Sequence, residues 1–407
     1  MRLLFVATIA PRPLNPTRGI FVHQMAKGLL SLGHEVDILV PVRIFPPAEL
    51  LACLIKPTKW GRVPGTFNRW LKEWVNASSE VIYEGVRYIY KRFTTLPQVS
   101  HAGKDCQSFV DSDAGWLMSR FISGEYSLVL GHFAETIPLA HYLAARINCP
   151  SGVYIHEDIA DYCRLVSESY VTTNLEKCHY IFTNSHRSER QLARMAHLDK
   201  DIKVVHLGID DIFRSDEPGC KGKPGRIVNV VCVSRFTQRK NQQILLDAVI
   251  EWNRSSSPFQ LHLRLVGDES PYREGLVQYA KKARAEKMVS FVYALNLEVV
   301  HEQLRLADIF VFSSKFESFG VVLIEAASQG VPIIASNEIG AFNELKLYGW
   351  DICSFDPFHA ESLTSAIGRV LHDYDLYSDL AKKLREFVLL EFSWEKSASE
   401  IVAALRG

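Results

Sequence analysis

Two carboxylates and two cations carry the densest chemistry in this chain. Glu317 stands directly before Ser318, Phe319 and Gly320, and Glu325 follows within the run 311–330. An apolar stretch ending at Phe312, a polar loop, and a helical pattern from Val321 to Ser328 that Gly330 stops read as strand, loop and helix. Pro332 and the apolar Ile333-Ile334-Ala335 then open another strand. The first turn of a helix leaves its amides without partners and puts the positive end of the macrodipole behind them, so it favours an anion. At ~1.5 Å rise per residue Glu325 stays within reach of the same pocket. Carboxylates on both sides of an anion site suit a ligand with hydroxyls at each end and phosphate between them, which is the layout of a nucleotide diphosphate sugar.

The second group is Arg235 and Lys240, in Val233-Ser-Arg-Phe-Thr-Gln-Arg-Lys-Asn241. A cation at the start of a helix is locally unfavourable. A bound diphosphate reverses that, because arginine offers a bidentate fork and lysine a point charge. Taken alone, an ordinary solvated loop explains these residues as well. Taken with Glu317 and Glu325, the diphosphate reading is preferred.

Elements must bring these groups to one place. Leu3–Ala7 is a buried strand by composition, residues 11–19 form a proline-rich loop, 21–32 have helical period, and Glu35–Pro41 is a second strand. This is the opening of a doubly wound parallel sheet. Strand patterns recur at 86–90, 127–132, 151–156, 180–184 and 203–206, and a helix is expected over 137–146. Residues 214–226 carry Pro, Gly, Lys and Asp without periodicity and read as a linker. A second set follows: strands at 228–233, 261–266, 289–293, 309–312 and 333–335, and helices at 242–252, 273–287, 297–305 and 360–371. The tail from 376 to 405 is helical. The expected fold is therefore α/β, with two Rossmann-like doubly wound domains facing a cleft. Open sheets of this kind bind ligands beyond the carboxyl ends of their strands, where the candidate residues fall. The dinucleotide fingerprint G-x-G-x-x-G is absent.

Composition narrows the function. The 407 residues suffice for two or three domains, and 46 basic against 46 acidic residues give no global electrostatic case for nucleic acid. The eight cysteines are scattered with no C-x-x-C pair, which fits reduced thiols in a cytoplasmic protein. No apolar run approaches the ~20 residues of a membrane span, and residues 1–10 read as a buried first strand in preference to a signal peptide. Residues 46–78 break the βα rhythm with a basic, aromatic segment. It is either an amphipathic flap at a membrane surface or lipid-linked substrate, or an ordinary helical excursion packed on its domain.

These motifs together resemble the large retaining GT-B glycosyltransferase family that includes sucrose synthases and many bacterial mannosyl- and glucosyltransferases of polysaccharide and lipopolysaccharide assembly. The resemblance covers nearly the whole chain, and its strongest marker is E-x7-E, here Glu317 and Glu325 with Phe319-Gly320 between. It implies that Glu317 contacts donor-sugar hydroxyls, that amides around Ser318, Phe319, Gly320 and Val321 bind sugar or phosphate, that Glu325 holds the ribose, and that Arg235 and Lys240 bind the diphosphate. Gly19 occupies the place of the family's Gly-rich loop, preceded by Arg18. His132 resembles the strand-end histidine near the reacting carbon, and His156 a second one on the acceptor or sugar side; either is otherwise a satisfied structural histidine. The chain departs from the family pattern at His206-Leu-Gly208, at Ser234 and at Gly340-Ala-Phe-Asn-Glu344. The domains implied are 1–213 on the acceptor side, 214–386 for the nucleotide sugar, and 387–407 as a helix crossing back to the first domain, entered at Phe392-Ser-Trp394.

The reaction implied is hexose transfer from a UDP- or GDP-sugar with retention, without cofactor, metal or an Asp-x-Asp metal motif, to a glycan or lipid-linked acceptor. His132, Arg235, Lys240 and Glu317 would carry the chemistry, in a cytoplasmic protein that is either free or peripheral at the inner membrane face. The alternatives are a soluble small-molecule acceptor, another enzyme on the same architecture such as an epimerase or phosphorylase, and a non-catalytic GT-B subunit that binds partners.

Overall fold

The computed structural model describes residues 1–11, 19–43, 80–93, 105–196, 198, 200–214, 223–294 and 296–406. Arg18 and the segment 46–78, and with it the expectation of a membrane-facing flap, lie outside these residues. The described chain divides into two compact units.

The first unit is built on an eight-stranded sheet. Its strands are β1 (Arg2–Ala7), β2 (Glu35–Arg43), β3 (Glu80–Tyr83), β4 (Val86–Phe93), β5 (Leu128–His132), β6 (Ser151–Ile155), β7 (Tyr180–Thr183) and β8 (Ile202–Val204), in the order β3-β4-β2-β1-β5-β6-β7-β8. All neighbours pair in parallel except β3 with β4, an antiparallel edge hairpin. Leu3, Leu4, Phe5, Val6 and Ala7 are fully buried, as expected of a central parallel strand covered by helices on both faces. The order reverses direction between β1 and β5, where Ala7 pairs with His132. That reversal is where an open sheet leaves room for a ligand.

The second unit carries a six-stranded, all-parallel sheet. Its strands are β9 (Ile227–Val233), β10 (Gln260–Gly267), β11 (Val289–Tyr293), β12 (Ile309–Phe312), β13 (Ile333–Ser336) and β14 (Cys353–Phe355), in the order β11-β10-β9-β12-β13-β14. The reversal here lies between β9 and β12, which pair through Ile309–Val230 and Phe310–Val231. The loops after these two strands hold Arg235 and Lys240 on one side and Glu317 on the other. Val228, Val230, Leu263, Leu265, Ile309 and Val311 form the core beneath them with helices Gln242–Arg254 and Ala360–His372.

Most expected elements are present, with shifted ends. The helix expected over 273–287 spans Pro271–Lys282, because Arg284 adopts φ 56°, a left-handed conformation that ends it. The tail is two helices, Tyr374–Glu391 and Trp394–Arg406, interrupted at Phe392-Ser393. Helices Asp105–Arg120, Ile159–Leu165, Glu168–Glu176, His186–Ala196 and Gly340–Leu347 go beyond the sequence reading. Residues 205–407 gather into the second unit, together with 19–24 and 184–188. The tail takes part in this grouping: the Ser397 hydroxyl donates to the His206 carbonyl, and Ile209 N–H to that of Phe392. Among the described residues, no helix is long and apolar enough to cross a membrane. The six described cysteines are free thiols, four of them buried.

Candidate active site

The second unit places Lys240 and Glu317 in direct contact. Lys240 ends a short 3-10 turn, Gln238–Lys240, ahead of helix Gln242–Arg254, and its ammonium reaches the Glu317 carboxylate from across the sheet reversal. Their side chains are only 14% and 10% exposed, so each charge has the other as its main compensation. The ammonium also lies 5.6 Å from the Phe312 ring centroid.

Backbone bonds hold both loops. Ser313 Oγ donates to the Lys240 carbonyl at 2.9 Å, and Lys315 N–H to that of Arg239 at 2.9 Å. Asn241 sits at φ 58°, a conformation asparagine tolerates, and its side-chain amide donates to the Pro357 carbonyl at 2.8 Å. Glu317 forms a parallel bridge with Ile339: its N–H donates to the Glu338 carbonyl at 3.2 Å, and Gly340 N–H donates back to the Glu317 carbonyl at 3.1 Å. Ala341 N–H donates to the Phe319 carbonyl at 2.7 Å, and Ser185 Oγ to that of Ser318 at 2.7 Å.

Gly320 caps helix Val321–Ser328 at φ 89°. Leu323 N–H is the first to find an acceptor behind it, the Gly320 carbonyl at 3.0 Å. The amides of Val321 and Val322 therefore precede the hydrogen-bonded ladder and can meet an anion. The Phe319 side chain is buried against His206 and Phe392, so only its backbone is placed to contact a ligand.

Glu325 projects from the same helix and is 8% exposed. Burial, with Asp210 nearby as a second cause, pushes its carboxyl up from 4.5 to about 8. No side chain among the described residues donates to it. A buried carboxyl without a partner is costly to fold around and is therefore a candidate for hydrogen bonding to ligand hydroxyls. Arg235 contrasts with it: its side chain is 80% exposed, and its Nε lies 3.6 Å from Asp268. Gly19 sits at φ 66° and accepts the Val22 N–H at 3.0 Å, opening helix Ile20–Ser31.

The first unit brings His132 and His156 together at the ends of β5 and β6. His132 Nδ1 and His156 Nε2 are 2.9 Å apart, with the rings stacked at 14°. Burial drives His132 down to about 3 and His156 well below its ordinary value, the latter also because His132 adjoins it, so both rings are neutral. His132 Nε2 is buried with no hydrogen-bond partner. Phe133, at φ 78°, is a strained conformation for a bulky residue and turns the chain sharply after His132. Glu157, beyond the residues singled out from sequence, fixes both strand ends. One carboxyl oxygen accepts Ala134 N–H at 2.6 Å and the other accepts His156 N–H at 3.1 Å. Burial outweighs these bonds, and its carboxyl rises to about 7. Its position beside His156 at a strand end was the available signal.

Among the described residues, one group has ligand atoms grouped as a metal ion would need them: His186, His206 and Glu344. Three Asp-x-Asp tripeptides do occur, contrary to expectation: Asp111-Ser-Asp113 lies within helix Asp105–Arg120, Asp373-Tyr-Asp375 at the start of helix Tyr374–Glu391, and Asp199-Lys-Asp201 includes position 199, which is outside the described residues; none belongs to the loops that hold Lys240 and Glu317.

Residues 217–387, which contain both loops around Lys240 and Glu317, match the family model described as glycosyl transferases group 1. Residues 217–387 form a group 1 glycosyl transferase domain. Sequence relatives of the chain include the mannosylfructose-phosphate synthase of Agrobacterium fabrum, 26% identical over 191 residues, or 46% of this chain and 41% of that protein. A GDP-mannose-dependent alpha-(1-6)-phosphatidylinositol monomannoside mannosyltransferase of Mycobacterium tuberculosis is 27% identical over 220 residues, 51% of this chain and 56% of its own. The chain thus spans about half the length of these relatives. Sucrose-phosphate synthase of Thermosynechococcus elongatus matches the structure with TM-score 0.75 at 20% identity, covering 100% of this chain and 98% of that one. An Anabaena protein, HepE, solved in complex with UDP and glucose, matches at TM-score 0.68 and 18% identity, covering 100% and 99%. The glycosyl transferase domain accordingly sits in a GT-B fold.

Two outcomes test this geometry. A Cβ at Gly340 would stand 2.0 Å from the Ser318 carbonyl oxygen, with no flexible atom to give way. Gly340→Ala is expected to cost ~2 kcal/mol or more, read as a lowered unfolding midpoint in denaturant. Glu325 makes a pH-dependent contribution. Below about 4.5 it is protonated folded or unfolded; between 4.5 and about 8 only the unfolded chain ionises, so its contribution falls as pH rises and levels off above. Glu325→Gln should therefore match wild type at pH 4 and exceed it by on the order of 4 kcal/mol at pH 8, measured by denaturant melts without ligand.

Proposed function

We propose that this protein is a retaining hexosyltransferase. It moves a hexose from a UDP- or GDP-sugar to a glycan or lipid-linked acceptor, in biosynthesis of the polysaccharide or lipopolysaccharide type. The observation that carries the reading is the buried Lys240–Glu317 contact at the open start of helix Val321–Ser328. A cation, two amides and a carboxylate converge there, which matches a phosphate joined to a polyhydroxyl group. The names of the Mycobacterium tuberculosis relative, a GDP-mannose-dependent mannosyltransferase, and of the Anabaena structure, solved with UDP and glucose, support a nucleotide-sugar donor.

In this reading the diphosphate draws Lys240 away from Glu317 and takes the amides of Val321 and Val322. Glu317 then turns to the sugar hydroxyls, and Glu325 hydrogen-bonds the ribose. As the bond to the sugar breaks, negative charge grows on the leaving phosphate. Groups already aimed there stabilise that charge more than they stabilise the ground state. Arg235, exposed and loosely held, adds its fork when the diphosphate arrives. This cation and amide set meets the leaving charge without a divalent metal. Glu317, paired with Lys240, serves to hold the donor and is not a glycosidase-type nucleophile. In this reading neutral His132 takes a donor or acceptor hydroxyl at Nε2, which has no hydrogen-bond partner among the described residues. Attack on the same face, with the leaving phosphate accepting the acceptor proton, requires no enzymic base and gives retention.

The test is a panel of UDP-, GDP- and ADP-sugars offered with glycan and lipid-linked acceptors, with anomeric configuration of the product read by NMR. Transfer with retention from one nucleotide class is expected, together with at least hundredfold loss in Lys240→Met and Glu317→Gln while circular dichroism is unchanged. Inversion, or full activity in either variant, would overturn the assignment.

A further inference from the structure

Glu344 is 1% exposed, yet no lysine or arginine among the described residues pairs with it. The groups at its carboxylate are two imidazoles and one backbone amide. His186 N–H donates to Oε1 at 2.8 Å, which fixes the carboxylate plane. The other oxygen, Oε2, faces His186 Nδ1 at 2.7 Å and His206 Nε2 at 2.9 Å. All three residues belong to the second unit, where 184–188 are grouped with 205–407.

We propose that His186, His206 and Glu344 form a binding site for a divalent cation of the zinc and cobalt class. Two imidazole nitrogens and one carboxylate oxygen, their ligand atoms within 4.8 Å of one another, are the donor set such ions take. Magnesium and calcium prefer all-oxygen sets and are disfavoured. Without metal, the rings hold the arrangement by hydrogen bonding to Oε2. An ion ~2.0–2.2 Å from each atom would open the two contacts by roughly 0.5 Å, which side-chain rotation can supply. The fourth position falls to water, because the His186 side chain is 48% exposed while those of His206 and Glu344 are 10% and 1% exposed.

The surroundings are those of a supported site. The bond from His186 N–H orients Glu344, and the bond from Ser397 Oγ to the His206 carbonyl anchors the second histidine. Phe319 and Phe392 pack on the His206 ring with centroids 6.0 and 5.3 Å away, and limit water on that side. A cation here also supplies the charge compensation that the Glu344 carboxylate otherwise draws only from imidazoles. It would clamp helix Gly340–Leu347 to His186 and His206, and through Ala341 N–H and Ser185 Oγ it would steady the backbone of Phe319 and Ser318. Its three ligands take no part in the proposed transfer chemistry, so the proposal stands or falls separately from it.

The test is titration of the chelator-stripped full chain with Zn2+ by calorimetry and with Co2+ by visible absorption. One equivalent per chain is expected, with the intense visible bands of tetrahedral cobalt, and binding at least tenfold weaker in His186→Ala and in Glu344→Gln. The exposed His186 can be removed without disturbing the core, so that variant remains informative if Glu344→Gln does not fold. No uptake by wild type, or uptake unchanged in His186→Ala, would overturn the proposal.

Discussion

A lysine ammonium and a glutamate carboxylate, both almost out of water, neutralise each other where the direction of the second sheet reverses. Neither charge could sit there alone: removing one partner of such a pair leaves the other uncompensated, at a cost of ~3 kcal/mol or more. Everything around Lys240 and Glu317 serves to keep the two loops in register. The β9–β12 pairing brings the loops side by side, Ser313 and Lys315 bond the backbone at residues 239 and 240, and the bridge to Ile339 fixes Glu317. In the proposed function, a diphosphate sugar divides the pair, with phosphate going to the lysine and hydroxyls to the carboxylate.

Close backbone packing makes this possible. Gly320 turns through φ 89° so that the helix amides after it point outward, and Gly340 lets a second backbone pass against Ser318. These positions exchange side-chain volume for backbone approach, which a phosphate-binding loop requires. The first unit uses a different device at its own reversal. There Glu157 takes the amides at two strand ends and holds a neutral, stacked histidine pair in place.

Much of the architecture was legible because buried parallel strands read as unbroken apolar runs: Leu3–Ala7, Val228–Val233 and Ile309–Phe312 could hardly be anything else. The ends of these apolar runs marked the loops that hold Arg235, Lys240 and Glu317, and Gly320 and Gly330 bounded the helix that carries Glu325. The contact between Lys240 and Glu317 was not legible, since it depends on which strands become neighbours across 77 residues of chain. The same holds for His186, His206 and Glu344, which periodicity cannot join. Helix His186–Ala196 is strongly charged and was hidden by its polarity, while the pattern over 273–287 overran because a left-handed turn at Arg284 leaves no clear mark in composition.

Donor binding is proposed to separate Lys240 from Glu317. Calorimetric affinities of UDP, GDP, UDP-glucose and GDP-mannose for wild type and Glu317→Gln test it most directly. Releasing Lys240 should leave binding of the preferred nucleoside diphosphate equal to or tighter than in wild type, while the corresponding nucleotide sugar loses at least tenfold. Equal loss for both ligands, or no change for either, would contradict the account.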